Sequence, residues 1–321
     1  MEMVEYKSSF NQRYWEYQKS QFPHWQKYFE RTQAKDGRPP VFLISEAWRN
    51  VIVNPDADQQ EIDRLLTLVP KPERHKWYRS MNSSQALAQS VFGNLVIHGF
   101  LKCLNELKDD EGLSLFGKAI VLSENFTMEH KIDYFGELRR TSLDGYISGD
   151  YRVAIEFKYT EADIGTCSRP RLTLADSNYE HEHCNGTYTK QRKRVNKCSL
   201  TEIGVLYWRY VPELFIWKSE NDYSPCPLFK NYQLVRNILA VGVIPDGRVS
   251  LDNGHVVLIY DERNPTFGEG GKGFIAFTEC QFALRNPRML RKCSWQRIIQ
   301  MLRSKDVLPF LTEHLDRKYG L

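Results

Sequence analysis

The chain has 321 residues, enough for one large domain or two smaller ones around a real core. Hydrophobic residues make up 41% and charged residues 26%, which excludes a disordered or low-complexity chain. The net charge of +4 is too small by itself to call for a polyanionic partner. No apolar run approaches the roughly 18 residues of a spanning helix, and the N-terminus opens with charges rather than a signal-peptide core. The expectation is therefore no membrane association and a cytoplasmic location. Seven cysteines, an odd count without a compact framework, read as thiols or metal ligands.

In chain order, residues 5–34 are helical in pattern and rich in aromatics, with a break at Pro23. Gly37, Pro39 and Pro40 mark a turn, and the stretch to about residue 80 is mixed. A long helix is predicted from Ser83 to about Leu107. Asn82 is its candidate N-cap, Gln85 closes a capping box, and Leu87, Val91, Leu95, Phe100 and Leu101 form its stripe. Ala119–Leu122 is a short strand-like run. Thr141–Ile147 and Tyr151–Tyr159 form a hairpin across Ser148, Gly149 and Asp150. Residues 160–226 read as an insertion containing four cysteines. Beyond it come a helix over Leu228–Val241, a strand over Val256–Tyr260 and a glycine-rich loop over Pro265–Gly273. A largely helical end over Ser294–Tyr319 is interrupted at Pro309.

Chemistry concentrates in the hairpin. Strand side chains alternate between faces. Tyr151, Val153, Ile155 and Phe157 form an apolar face, which leaves Arg152, Ala154, Glu156 and Lys158 on the other. In the partner strand Leu143 and Ile147 point to the core, so Asp144 points away and can stand beside Glu156. Two neighbouring carboxylates repel, and a divalent cation such as Mg²⁺ (or Mn²⁺) removes that penalty. Lys158 could orient a water or neutralise phosphate charge. The plainer alternative is a solvated strand face with a Glu156–Lys158 salt bridge.

Asp144 followed by Glu156-Phe157-Lys158 resembles the PD-(D/E)xK nuclease superfamily. Ser83-Ser84-Gln85-Ala86-Leu87, Glu156-Phe157-Lys158-Tyr159-Thr160 and Tyr232-Gln233-Leu234-Val235-Arg236-Asn237 resemble, more narrowly, a bacterial restriction-endonuclease-like group. Leu143 replaces the proline of the motif, and Gln85 stands where many relatives use Glu. The resemblance implies an α/β fold: a restriction-endonuclease-like core with a mixed central sheet flanked by helices. An N-terminal helical or mixed extension over 1–82 would precede a nuclease-like domain over 83–321, which carries the Cys-containing insertion at about 160–226.

Other residues carry paired readings. Gln233, Arg236 and Asn237 share one helix face, either beside the metal site or as plain polar surface. Gln85 serves the site or a cap. Arg139 and Arg140 are phosphate contacts or surface arginines. Cys167, Cys184, Cys198 and Cys226 could hold Zn²⁺ or an iron–sulfur cluster, although no CxxC pair is present. His181 and His183 are substitute ligands or exposed loop residues. Two acid-free basic runs, Lys190–Lys197 and Arg285–Lys305, are solvated faces or phosphate contacts. Arg288, Arg291 and Lys292 are candidate nucleic-acid residues in the second run, together with Arg236.

The function these readings favour is Mg²⁺-dependent hydrolysis of DNA, in defence or repair. Asp144 and Glu156 would bind metal, and Lys158, Gln85 and Gln233 would assist. The rivals are a non-catalytic nucleic-acid-binding module on the same fold and a partner-binding protein whose aromatic N-terminal helices form an interface.

Overall fold

Five strands, four of them carrying β-branched and aromatic residues, pair into one sheet in the order β1-β2-β3-β4-β5. These are β1 (Phe126–Ile132), β2 (Thr141–Ile147), β3 (Arg152–Phe157), β4 (Gly254–Tyr260) and β5 (Leu290–Ser294). β1, β2 and β3 form an antiparallel meander, whereas β4 and β5 add in parallel to β3. Parallel addition needs a crossover, and helices supply each one. The computed structural model describes residues 2–31, 37–138, 140–167, 186, 198–223 and 225–321.

Because the strands alternate, the sheet buries two faces. Val153, Ile155, Phe157, Val257, Ile259 and Cys293 belong to one core cluster. Helix α1 (Met3–Gln21), α2 (Ser84–Ala88, continuing through Gln89–Gly93 and Asn94–Ile97) and the two C-terminal helices cover that face. Ala154, Val256, Leu258 and Leu290 belong to the second cluster. It is covered by α3 (Tyr207–Leu214), α4 (Pro227–Gly242) and α5 (Lys272–Ala283). Strand β3 is buried along its whole length, as a central strand between two helical layers should be. Phe157 stacks on Trp295 at 5.4 Å and meets Phe92 at 4.9 Å. Truncating such a ring to alanine costs about 3–5 kcal/mol.

Several sequence expectations are corrected. The long helix stops at Ile97, because Gly99 takes a left-handed backbone (φ +74°), and a tighter turn covers Leu101–Glu106. Its N-cap is Ser83, which accepts from Ala86 N at 3.2 Å; Asn82 does not cap it. Ala119–Leu122 is not a strand, and Phe126–Ile132 completes the strand trio instead. The glycine-rich loop leads straight into α5. The C-terminal region divides into α6 (Trp295–Ser304) and α7 (Pro309–Tyr319), and Pro309 begins the second helix, where its missing N–H costs nothing.

Aromatic residues of α1 do not form an outward face. Tyr6, Phe10 and Tyr14 are buried in the same cluster as the sheet, and Tyr14 donates to the Tyr159 hydroxyl at 3.0 Å. Among the described residues no helix is long and apolar enough to cross a membrane.

Candidate active site

The register lines up three acidic residues. β1 pairs with β2 at Met128↔Gly145 and His130↔Leu143, so Glu129 falls opposite Asp144. β2 pairs with β3 up to Gly145↔Ile155, and one step further sets Asp144 beside Glu156. The hairpin opens at that step: Asp144 Oδ2 accepts from Phe157 N at 2.9 Å, replacing a ladder bond with a side chain. Gly145 fits beneath because a Cβ there would already be 3.3 Å from Ile155 Cβ and from the Phe126 ring.

Sequence reading missed Glu129. Its backbone is left-handed (φ +52°), a conformation that costs a non-glycine residue about 1–2 kcal/mol. Two side chains hold it there: Gln85 Nε2 donates to Oε1 at 2.5 Å and Ser142 Oγ donates to Oε2 at 2.7 Å. Gln85 therefore contacts Glu129 instead of closing a capping box; it also donates to Glu73 O at 3.0 Å. The alternation of Phe126, Met128 and Ile132 is the signal that would have found the strand, but the polar Glu129-His130-Lys131 run hides it.

Glu156 and Lys158 are 1% and 7% exposed, which removes the solvated-strand alternative. Lys158 Nζ stands 2.7 Å from Glu156 Oε1 as a buried ion pair. The other oxygen, Oε2, accepts from Asn237 Nδ2 at 2.8 Å. Lys158 also donates to Gln233 Oε1 at 2.9 Å. Gln233 and Asn237 lie one turn apart on α4, so a single helix face steadies both partners of the pair. Gly165 leaves room for Gln233, since a Cβ there would stand 2.0 Å from its Oε1.

These groups meet in a cavity of about 240 Å³ lined by Gln85, Glu129, Asp144, Glu156, Lys158 and Gln233 among others. Glu161 and His75 also border it, and neither was singled out from sequence. Burial pushes the Asp144 carboxyl well above its usual range, and the nearby Glu156 and Glu129 push it further. Burial likewise raises Glu129, against the hydrogen bonds from Gln85 and Ser142. For Lys158, burial acts downward, but Glu156, Glu161 and Asp144 outweigh it and hold the ammonium above its ordinary value. Burial keeps His75 below its ordinary value.

Among the described residues, no three His, Cys, Asp or Glu side chains are arranged as a ready-made metal cage. The donor set nonetheless fits a hard divalent cation: carboxylate oxygens from adjacent strands, and a mutual repulsion that a cation relieves. Cys198 and Cys226 are buried and Cys167 is half-buried, all packed in or against the second core cluster; these three do not converge as metal ligands. Cys184, His181, His183, Arg139 and the Lys190–Lys197 run lie outside the described residues.

Arg236 reaches Ser142 O at 3.3 Å, on the residue that also holds Glu129. Arg140 is exposed and pairs with Asp133 at 3.9 Å. The C-terminal basic run divides. Lys292 is level with Glu156 across β4, but its ammonium faces the Phe274 and Phe277 rings, with Asp110 at 3.9 Å. Arg288 and Arg291 do not line the pocket; they line a separate cleft by Tyr151 and Gly254, although the Arg291 backbone is level with Ile155. Trp295 is fully buried, donating to Lys158 O at 3.0 Å.

A family described as restriction endonuclease associating with ARP, REase-ARP, matches residues 11–320. No curated protein and no solved structure matches the chain.

Proposed function

As the chain belongs to the REase-ARP family of restriction endonucleases, we propose that it hydrolyses DNA phosphodiester bonds at the Asp144–Glu156–Lys158 pocket with the aid of Mg²⁺ or Mn²⁺. The observation that carries this reading is the row of Glu129, Asp144 and Glu156 across three adjacent strands, with a buried lysine at its end. Asp144 and Glu156 would hold the cation, with Glu129 beside them. A bound divalent cation supplies Lewis acidity, neutralising phosphate charge and favouring deprotonation of a water.

The chain's own groups do the rest. Lys158, held charged, is suited to donating to a non-bridging phosphate oxygen and not to accepting a proton. Gln233 and Asn237 fix the lysine and the glutamate so that neither reorganises as charge develops. Gln85 and Ser142 keep Glu129 facing the pocket. Arg236 is a phosphate contact at the rim. The ARP of the family description is a proposed partner.

The test is a cleavage assay on duplex, nicked and single-stranded DNA and on RNA, with Mg²⁺, Mn²⁺ or EDTA, run beside Glu156→Gln. Cation-dependent cleavage of DNA that the variant lacks supports the proposal. Binding without cleavage under any divalent cation would overturn it in favour of the non-catalytic module.

A further inference from the structure

We propose that the cleft at the strand-start end of the sheet is a binding site for closely spaced phosphate groups, distinct from the candidate active site. The cleft measures about 450 Å³, and four cations line it: Lys118, Arg285, Arg288 and Arg291. Asp252 is the one carboxylate in its lining. Other basic residues of the C-terminal run are spent elsewhere: Lys292 and Arg297 face Asp110, and Lys305 pairs with Glu106. Among the described residues no ion pair holds any of the four cations of the cleft. A net excess of three positive charges focuses a positive field in the concavity and raises the local concentration of anions.

Two of the guanidinium groups are positioned rather than loose. Arg285 Nε donates to Pro212 O at 3.1 Å. Arg291 Nε donates to Arg288 O at 3.3 Å, and its Nη1 donates to Ser114 O. The Arg288 backbone is fixed by its N–H, which donates to Asn286 Oδ1 at 3.2 Å, and its side chain is exposed. Each tether leaves guanidinium donors for a ligand, and such planar forks match phosphate oxygens. The wall is also firm. Tyr151 meets His255 Nδ1 at 3.1 Å and fills the space beside Gly117, where a Cβ would stand 2.9 Å from the tyrosine hydroxyl.

Position separates this cleft from the catalytic pocket. Tyr151 and Gly254 stand where β3 and β4 begin, whereas Glu156 and Lys158 stand where β3 ends. Tyr151 and Glu156 are five residues apart, about 16 Å in an extended strand. Two or three adjacent phosphates suit the size and charge of the cleft, and they could come from a free polyphosphate or from a nucleic-acid backbone.

Calorimetric titration of the full chain with inorganic tripolyphosphate tests this, beside salt-titrated duplex binding. Arg285→Gln and Arg288→Gln, singly and together, are the variants, with thermal unfolding to show that these exposed changes leave the fold intact. A single saturable tripolyphosphate site, weakened about tenfold by each substitution, supports the proposal. If duplex displaces tripolyphosphate and each substitution lowers the salt slope by about one, the phosphates are those of the backbone. Loss of tripolyphosphate binding with unchanged duplex binding identifies a free polyphosphate ligand. Tripolyphosphate binding that persists in the double variant, or its absence together with an unchanged salt slope, overturns the proposal.

Discussion

The Asn237 carboxamide donates to Glu156 Oε2 at 2.8 Å, so α4 fixes the carboxylate of the central strand. Both side chains are buried, and Lys158 holds the other oxygen. Glu156→Gln preserves shape while removing the charge that would hold a cation. Cleavage should fall at least about a thousandfold, with duplex binding in EDTA retained or improved. Cleavage rates and binding isotherms on the same preparation check this, and an active variant would remove Glu156 from the chemistry.

Lys158 and Glu156 form a buried pair, so deleting one partner strands the other. Lys158→Met should cost about 3–5 kcal/mol in EDTA, because an uncompensated carboxylate stays buried. Lys158→Met combined with Glu156→Gln should recover much of that loss. Denaturant unfolding of the three variants measures it. A nearly neutral single variant would show that Glu156 escapes to water.

Asp144 makes metal-free stability depend on pH. Burial and then the neighbouring carboxylates raise its folded-state pKa above the unfolded value near 3.8. The folded state therefore holds a proton that the unfolded state has already lost. Stability is fully present below the unfolded pKa and is lost as pH rises through the folded one. Asp144→Asn should flatten that decline and melt higher at pH 8 in EDTA, while Mg²⁺ should raise the parent's melting temperature but not the variant's. Thermal unfolding from pH 4 to 8 decides; equal slopes would contradict the assignment.

How much of this was legible in the sequence depends on how local the signal is. Asp144, Glu156 and Lys158 follow from alternation and a turn, which a single hairpin encodes. Asn237 and Gln233 follow from helical spacing, although their partners 81 and 75 residues away do not. Glu129 was invisible because the polar Glu129-His130-Lys131 run hides the alternation of its strand. The arginines of the C-terminal run show the opposite failure. Charge spacing identified a basic segment, but only the fold shows that Arg288 lines the cleft by Tyr151 and Gly254, where β3 and β4 begin, and not the pocket of Lys158.

Gln85 offers a test of Glu129. The amide donates to Glu129 Oε1 at 2.5 Å, so Gln85→Glu would replace a donor with a second carboxylate. The variant should be destabilised in EDTA, by about 1–3 kcal/mol for the lost donor and the added repulsion. Mg²⁺ should stabilise it more than it stabilises the parent, since the added ligand strengthens binding to the folded state. Melting temperatures across a Mg²⁺ titration measure the difference. Equal responses would place Glu129 outside the cation site.

Lys318 provides a last prediction, about the closure between the two ends of the chain. Its ammonium is buried and donates to Asn50 O at 2.6 Å and Asn50 Oδ1 at 2.8 Å, with the Tyr17 and Tyr319 rings within 6 Å. Among the described residues no carboxylate pairs with it, and burial lowers its pKa to about 7 from an ordinary 10.5. Above pH 7 the unfolded chain therefore binds a proton that the folded chain has released. Stability contributed by this group must rise with pH between 7 and 10.5, the reverse of the Asp144 effect. Lys318→Met leaves the Asn50 acceptors unpaired, so its absolute stability is a poor guide. The slope is the useful quantity. In an Asp144→Asn background, denaturant unfolding at pH 7, 8 and 9 should show stability climbing with Lys318 present, and the climb should flatten with Met. A climb that persists unchanged in the Met variant would show that the lysine keeps its proton in the folded state.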